Sequence, residues 1–173
     1  MSASTGSLGG LPQRLARGQA TLGYLLTTPS VQIVQALART GVDWLMIDTE
    51  HAPVGIESVA AMIAATGGSS AAPIVRVPGA RPELVKPVLD CGALGVVFPQ
   101  IATRQEAEAT VKAVRYAPKG ERGYGPTYAA FRWGLPNLEA RAMIARGYRF
   151  IVLGSDAGLI SGAAQRAVQA IRA

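Results

Sequence analysis

The sequence predicts an α/β protein in which parallel β-strands alternate with α-helices. Short apolar runs alternate with longer segments whose apolar residues recur at helical spacing, and this pattern is typical of parallel β/α units. The chain has 173 residues and is 49% apolar, which is enough to fill one globular core. Only 16% of the residues are charged and no block of like charges occurs, so the composition excludes a disordered chain.

Five strands are expected where short apolar runs are bounded by polar or turn-forming residues. They are residues 21–26, 44–48, 73–77, 95–99 and 150–153. Helices are expected between and after these strands, because apolar residues there recur every three or four positions, as Val59, Met62 and Ile63 do. They are residues 31–39, residues 56–65, a segment that opens at Arg81 and Pro82, and residues 106–114, 138–145 and 157–171.

Local signals support two of these helices. Proline suits the first turn of a helix, so Pro82 marks a start, whereas Pro87 lies inside the same helix and should kink it. Thr103 and Glu106 have the spacing of a capping box. Residues 116–137 show no periodicity, and they are expected to be either a functional loop or a place where part of the fold is missing.

Charge and composition exclude several classes of partner. The net charge is +6, but the basic residues are scattered singly, so we expect a small anionic substrate and no nucleic acid. No run of eighteen apolar residues occurs, so no membrane partner is expected. Residues 1–12 are expected to be a flexible N-terminus without the pattern of a signal peptide. The single cysteine, Cys91, cannot form an internal disulfide, which favours the cytoplasm.

Polar side chains lie at the carboxyl ends of predicted strands, where β/α folds place their chemistry. They are Asp48, Glu50, His51, Arg76 and Gln100. His51 is the only histidine and has two carboxylates within three residues, so it is a candidate base, although an ordinary polar strand end is the alternative. Arg76 interrupts an apolar run and needs an anionic partner, either a substrate carboxylate or an internal salt bridge with Asp48 or Glu50.

Three further residues outside these strand ends have side chains that could take part in a site, and each also has a purely structural interpretation or partner. Asp90 closes its predicted helix, where the helix dipole disfavours an anion, so a partner is implied. Arg122 begins a Gly-rich stretch, Arg-Gly-Tyr-Gly, which is either a substrate-facing loop or a plain turn. Cys91 is expected to be a small packing residue, because no metal-ligand spacing accompanies it.

A series of motifs covers nearly the whole chain. They are Gly41-Val-Asp-Trp-Leu-Met-Ile-Asp48-Thr-Glu-His51-Ala-Pro53, Pro73-Ile-Val-Arg76-Val, Val85-Lys-Pro-Val-Leu-Asp90-Cys-Gly92, Val97-Phe-Pro99-Gln100, Arg115-Tyr-Ala-Pro118-Lys-Gly120-Glu-Arg122-Gly123 and Gly147-Tyr-Arg-Phe-Ile-Val-Leu-Gly154-Ser-Asp156-Ala-Gly-Leu159. In this order they resemble the HpcH/HpaI aldolase and citrate lyase family. Within it they are most similar to the metal-dependent pyruvate aldolases that act on 2-keto-3-deoxy and 4-hydroxy-2-oxo acids.

The resemblance implies a β/α barrel that works as a homo-oligomer and cleaves a carbon–carbon bond. It implies that His51 takes the hydroxyl proton in retro-aldol cleavage and that Asp90 orients it. Arg76 would hold the keto acid and stabilise the enolate, and we expect Gln100 and Arg122 to contact the substrate as well.

The resemblance also implies a divalent metal ion, Mg²⁺, Mn²⁺ or Co²⁺, with Asp48 and Glu50 near it through water. The family holds the metal with a Glu in a Gln-Ile-Glu-Thr-like motif and an Asp in a Gly-Pro-x-Asp-Leu motif. Neither motif occurs here, so no ligand is identified. We therefore expect one domain over residues 13–173, an incomplete barrel of about five parallel strands that lacks about three central strands through a deletion near residues 133–139.

The sequence thus predicts an aldehyde-lyase that releases pyruvate and an aldehyde from a 4-hydroxy-2-oxo acid. Two alternatives stay open. One is a non-catalytic aldolase-like chain that acts as an oligomer partner. The other is a citrate-lyase-like enzyme that acts on acyl-CoA thioesters.

Overall fold

Four strands form one parallel sheet in the order β1-β2-β3-β4. The structure is a computed structural model, and it describes residues 10–125, 128–129 and 156–172. The strands are β1 (Gly23–Leu26), β2 (Trp44–Asp48), β3 (Ala72–Arg76) and β4 (Gly95–Val97). The helices are α1 (Leu11–Ala16), α2 (Val31–Leu37), α3 (Ile56–Ala65), α4 (Pro82–Asp90), α5 (Arg104–Val114) and α6 (Asp156–Arg172). This alternation of helices with a parallel sheet confirms the predicted α/β class.

The register of the sheet divides its side chains between two faces, because successive residues of a strand point to opposite sides. One face carries Leu26, Leu45, Ile47 and Val75, all of which are buried in the hydrophobic core. The other face carries Leu25, Met46, Asp48, Ile74, Arg76 and Val97, which are paired in register across the four strands.

The core lies between the first of these faces and the helices. Val34 of α2, Val59 and Ile63 of α3, and Val85 of α4 are each fully buried in it. Burying one such side chain contributes about 1.5–3 kcal/mol. Helices α2, α3 and α4 therefore pack on one side of the sheet. The apolar spacing that predicted α3 is the spacing of its buried face.

The predicted element bounds agree closely with the structure over residues 23–114. Residues 44–48 and 56–65 are the bounds of β2 and α3, and β3 is displaced by one residue. β4 ends at Val97 rather than at residue 99, because only three of its residues pair with β3. The predicted helix 138–145 and strand 150–153 lie outside the described residues.

Helix α1 was not predicted from the sequence. It begins at Leu11, which is buried, and Pro12 occupies its first turn. Its six residues are too few for a recognisable helical pattern. Arg14 of this helix forms an ion pair with Asp43, just before β2. Helix α1 is thereby tied to the start of the sheet.

The predicted start of α4 and the predicted capping box of α5 are confirmed. Pro82 lies in the first turn of α4, and Pro87 lies inside that helix. The hydroxyl of Thr103 accepts a hydrogen bond from the Glu106 backbone N–H (3.2 Å), while the Glu106 carboxylate accepts one from the Thr103 N–H (2.9 Å). Backbone N–H groups of Ala102 and Thr103 lower the pKa of the Glu106 carboxyl.

Residues 135–173 form a second compact unit, in which the structure describes α6. This helix has 17 residues, and its bounds lie within one residue of the predicted 157–171. No helix in the described part of the chain is both long and apolar enough to cross a membrane.

Gly23 allows Trp44 of the neighbouring strand to pack against the backbone of β1. A Cβ atom at residue 23 would overlap the Trp44 ring and its carbonyl oxygen. We expect Gly23→Ala to lower the free energy of unfolding by about 1–3 kcal/mol, because overpacking forces backbone or ring displacement. Urea unfolding followed by tryptophan fluorescence measures the effect.

The matched control is Gly79→Ala. A Cβ atom there would have Leu84 as its nearest neighbour, at 3.9 Å. An equal loss of stability in both variants would contradict a specific role for the Gly23–Trp44 contact.

Candidate active site

Asp48 and Arg76 form a bidentate ion pair at the carboxyl ends of β2 and β3. The two residues are partners in the parallel register. The Arg76 Nε donates to Asp48 Oδ1 at 3.0 Å, and Nη2 donates to Oδ2 at 2.8 Å. The Asp48 side chain is 1% exposed and that of Arg76 is 25% exposed. The pair therefore joins a buried anion to a cation that solvent and small molecules can reach.

Asp48 also shapes the turn that follows β2. Its Oδ1 accepts hydrogen bonds from the backbone N–H groups of Glu50 (2.9 Å) and His51 (3.3 Å). Such side-chain-to-backbone bonds favour a turn over continued strand. Thr49 ties the turn to the next strand, because its N–H and its hydroxyl both donate to the Arg76 carbonyl oxygen, at 2.9 and 2.7 Å.

Glu50 lies between the arginine and the histidine. Its Oε2 is 3.3 Å from Arg76 Nε, and its Oε1 is 3.4 Å from His51 Nε2. The Glu50 side chain is 11% exposed, whereas that of His51 is 70% exposed. The arrangement thus holds a carboxylate beside one ring nitrogen of an accessible histidine.

The Asp48–Arg76 pair perturbs the acidity of both groups. Hydrogen bonds from the Arg76 guanidinium lower the pKa of Asp48 from 3.8 to about 2, with support from the backbone N–H groups of Glu50 and His51 and against the opposing effect of burial. The hydrogen bond to Asp48 raises the pKa of Arg76. Asp48 is therefore an anion throughout the physiological range. When His51 is neutral, the two negative charges of Asp48 and Glu50 exceed the one positive charge of Arg76.

The described residues do not fit a divalent metal ion held directly by protein ligands. Both oxygens of Asp48 are occupied by Arg76, and Glu50 is shared between Arg76 and His51. Across the described ranges, no group of three or more His, Cys, Asp or Glu side chains is placed to hold a metal ion.

Gln100 lies three residues beyond β4, in the loop that follows the carboxyl end of that strand. Its side chain is exposed and its φ angle is 55°, in the left-handed region. For a residue other than glycine this conformation costs about 1–2 kcal/mol. Such strain is found preferentially at functional sites, so it adds a structural reason to the sequence prediction for Gln100.

The structure places Asp90 away from His51. Helix α4 runs back from the end of β3 to the start of β4. Its nine residues place Asp90 roughly 13 Å away, towards the amino ends of the strands, whereas His51 follows the carboxyl end of β2. There, Asp90 Oδ1 accepts a hydrogen bond from Arg122 Nη2 at 2.7 Å. No hydrogen bond joins Asp90 to His51 within the residues described.

Arg122 is held by its contacts with Asp90 and Tyr116. Its side chain is 10% exposed, and its guanidinium lies 4.6 Å from the centre of the Tyr116 ring. The Tyr116 and Tyr124 rings are 5.5 Å apart. The structure therefore brings Asp48, Glu50, His51 and Arg76 together, and it separates Asp90 and Arg122 from them.

Thr49 and Tyr116 were not identified from the sequence. Thr49 makes its contacts with a carbonyl on another strand, and Tyr116 contacts a residue across a loop. Neither contact leaves a spacing signal in the chain. The polar run after β2 was the one available indication for Thr49.

The lowered pKa of Asp48 predicts a pH dependence of stability. Folding favours the ionised carboxylate, so this contribution, about 2 kcal/mol, is complete above the unfolded pKa of 3.8 and is lost as the pH falls towards 2. We expect Asp48→Asn to unfold more easily at pH 7 by about 2–3 kcal/mol and to lose less stability than the unmodified chain between pH 5 and pH 3. Urea unfolding at both pH values measures the two quantities.

Glu83→Gln is the control for removing one negative charge, because Glu83 forms an exposed ion pair with Arg81. Its free energy of unfolding should stay within about 0.5 kcal/mol of the unmodified value. An unchanged pH slope in Asp48→Asn would contradict the assignment of this dependence to Asp48.

Comparison with known proteins identifies the family of this chain. The family model described as HpcH/HpaI aldolase/citrate lyase matches residues 23–145. The 2-keto-3-deoxy-L-rhamnonate aldolase of Escherichia coli K12 is 39% identical over 124 residues, which are 70% of this chain and 46% of that enzyme. The chain therefore spans about half the length of the curated relatives that it matches.

Solved structures agree with this match. A family protein from Burkholderia cenocepacia J2315 superimposes with a TM-score of 0.66 at 39% identity, over 71% of this chain and 51% of that one. Macrophomate synthase superimposes with a TM-score of 0.61 at 29% identity, over 69% of this chain and 42% of that one. The parallel sheet, the motif after β2 and these matches together show that the chain belongs to the HpcH/HpaI aldolase/citrate lyase family.

Proposed function

We propose that this chain is an aldehyde-lyase that cleaves 4-hydroxy-2-oxo acids into pyruvate and an aldehyde. The observation that carries the proposal is the Asp48–Arg76 pair beside His51, at the carboxyl edge of the sheet in a chain of an aldolase family. In this reaction the hydroxyl proton on the C4 oxygen is removed and the C3–C4 bond breaks. The electrons of the C4 alkoxide form the carbonyl of the aldehyde, and the C3–C4 electron pair forms the enolate of pyruvate with its charge on the 2-oxo oxygen. The enolate then takes a proton at C3 from the protonated base or from water.

His51 is the proposed base for the hydroxyl proton. Its exposure lets a substrate reach it, and histidine is the side chain best suited to exchange a proton near neutral pH. Glu50 beside Nε2 favours the proton on that nitrogen, which leaves Nδ1 as the acceptor. Glu50 is therefore a positioning residue in this proposal.

Arg76 is the proposed contact for the keto acid and for the charge of the enolate. Asp48 occupies Nε and Nη2, and within the described residues Nη1 has no hydrogen-bond partner. A planar guanidinium with free N–H groups suits a carboxylate or an enolate oxygen. Asp48 keeps the guanidinium in place, and Gln100 at the same edge is a further proposed substrate contact.

The charge balance of the site bears on how an anionic substrate binds. Asp48 and Glu50 together exceed the charge of Arg76 by one unit while His51 is neutral. A keto acid would meet an additional positive charge if the divalent ion expected for the family were supplied from solution. Because the described residues offer no ligand set for such an ion, the proposed steps use only the side chains of this chain.

A second candidate function is that of a non-catalytic oligomer partner. It is favoured by the lack of a metal-ligand group within the residues described. Under either function we place the protein in the cytoplasm, on the strength of its single cysteine. Asp90 and Arg122, which bind each other, would hold the 115–125 loop in this chain.

The proposal predicts release of pyruvate from a 4-hydroxy-2-oxo acid by the purified chain. The assay uses Mg²⁺, Mn²⁺ and Co²⁺ in turn, and a chelator in a parallel series. His51→Ala should lower kcat/KM by about 100-fold or more through loss of the base. Arg76→Lys should lower it by about 100- to 1,000-fold, because a fork of donors to the oxyanion is lost.

Arg104→Lys is the matched control, because the Arg104 side chain is 92% exposed and lies on the outer helix α5. Its activity should equal that of the unmodified chain. No pyruvate above background with any of the three ions would overturn the lyase proposal and favour the non-catalytic partner.

A further inference from the structure

Thr49 attaches the turn after β2 to the backbone of the neighbouring strand. Its N–H donates to the Arg76 carbonyl oxygen at 2.9 Å, and this bond belongs to the parallel pairing of Asp48 with Arg76. Its hydroxyl donates to the same oxygen at 2.7 Å. The hydroxyl bond is an addition to the sheet, because the N–H bond alone completes the pairing of the strands. It joins the residue before Glu50 to the backbone of the proposed substrate contact.

The same pair of donors has a local role elsewhere in the chain. At Thr40, the N–H and the hydroxyl both donate to the Leu37 carbonyl oxygen, at 3.1 and 2.7 Å. At Thr66, both donate to the Ile63 carbonyl oxygen, at 3.1 and 2.8 Å. Each of these threonines closes the end of a helix through a carbonyl three residues before it. Thr49 instead reaches a carbonyl 27 residues away on another strand, so its hydroxyl fixes the position of the turn relative to β3.

The contacts of Glu50 depend on that position. Its carboxylate lies 3.3 Å from Arg76 Nε and 3.4 Å from His51 Nε2. Both separations exceed the usual length of an N–H···O hydrogen bond, about 2.7–3.2 Å, so a small displacement of the turn breaks these contacts. The Asp48–Arg76 bonds, at 2.8 and 3.0 Å, lie within that range. Movement of the turn therefore separates Glu50 from His51 before it disturbs the guanidinium of Arg76.

We propose that the Thr49 hydroxyl is a positioning group for the proton transfer at His51. It holds the turn against β3, so that Glu50 contacts Arg76 and His51 at the same time. The His51 ring thereby keeps its place relative to a keto acid held by Arg76. The role in the reaction rests on the proposed lyase function, whereas the placement of the turn by the hydroxyl does not, and the two are tested separately.

Thr49→Val tests the role in the reaction, because it removes the hydroxyl and keeps the branched shape of the side chain. Its kcat should fall about tenfold, since a displaced base costs rate, while KM should change little because Asp48 still holds Arg76. Thr49→Ser keeps the hydroxyl and should recover most of the lost kcat. The matched control is Thr40→Val, which loses the same kind of hydroxyl bond at an exposed position and should have the kcat of the unmodified chain.

A Glu50→Ala background distinguishes positioning from a general structural role. Because the hydroxyl acts through the contacts of Glu50, Thr49→Val should lower kcat by less than about twofold in that background. Equal effects of Thr49→Val in the two backgrounds would contradict the proposal. A Thr49→Ser chain as slow as Thr49→Val would contradict it as well, because the hydroxyl would then not be the group that matters.

A measurement without substrate tests the placement of the turn whether or not the chain is active. Nitrogen-15 relaxation gives the order parameters of the Glu50 and His51 backbone amides, which are about 0.85 for rigid backbone. They should fall in Thr49→Val and stay unchanged in Thr49→Ser and in Thr40→Val. Unchanged order parameters in Thr49→Val would overturn the proposal, since the hydroxyl would not hold the turn. If they fall but the unmodified chain releases no pyruvate, the lyase proposal fails together with the role of Thr49 in the reaction, while the placement of the turn stands.

Discussion

The Asp48–Arg76 pair is the interaction on which the rest of the site depends. A buried carboxylate is costly unless it is paired and hydrogen-bonded, and Arg76 satisfies both of its oxygens from the neighbouring strand. The same carboxylate organises the turn that carries Glu50 and His51. Removal of either partner would leave an uncompensated charge, so the ends of β2 and β3, the turn and the histidine act as one unit.

The Asp48–Arg76 pair lies on the face of the sheet opposite to helices α2, α3 and α4. Asp48 and Arg76 share this face with the apolar residues of the edge strands, whereas the core residues lie on the other face. In a closed barrel this face is interior, which excludes water and strengthens electrostatic interactions. The strength of the Asp48–Arg76 interaction therefore depends on what covers the apolar side chains of this face.

Over residues 23–114 most of the fold could be predicted from the sequence, because the elements there are long or strongly patterned. The buried run of β2 and the helical spacing of α3 give their bounds directly, and the capping box of α5 needs only residues three apart. Helix α1 could not be predicted, since six residues show no helical pattern and its contacts, the burial of Leu11 and the Arg14–Asp43 ion pair, arise from tertiary structure. The left-handed conformation of Gln100 is likewise a product of its loop and not of its residue type.

The sequence by itself determined which residues could carry chemistry, and it determined that Asp48, Glu50 and His51 lie together. Local chain geometry alone guarantees that proximity. Only the tertiary structure decided the partners of distant groups. The parallel register brought Arg76 to Asp48, 28 residues away, in one of the pairings left open by the sequence. Helix α4 runs back to the amino ends of the strands, as a helix between two parallel strands must. Asp90 therefore binds Arg122 there and lies far from His51.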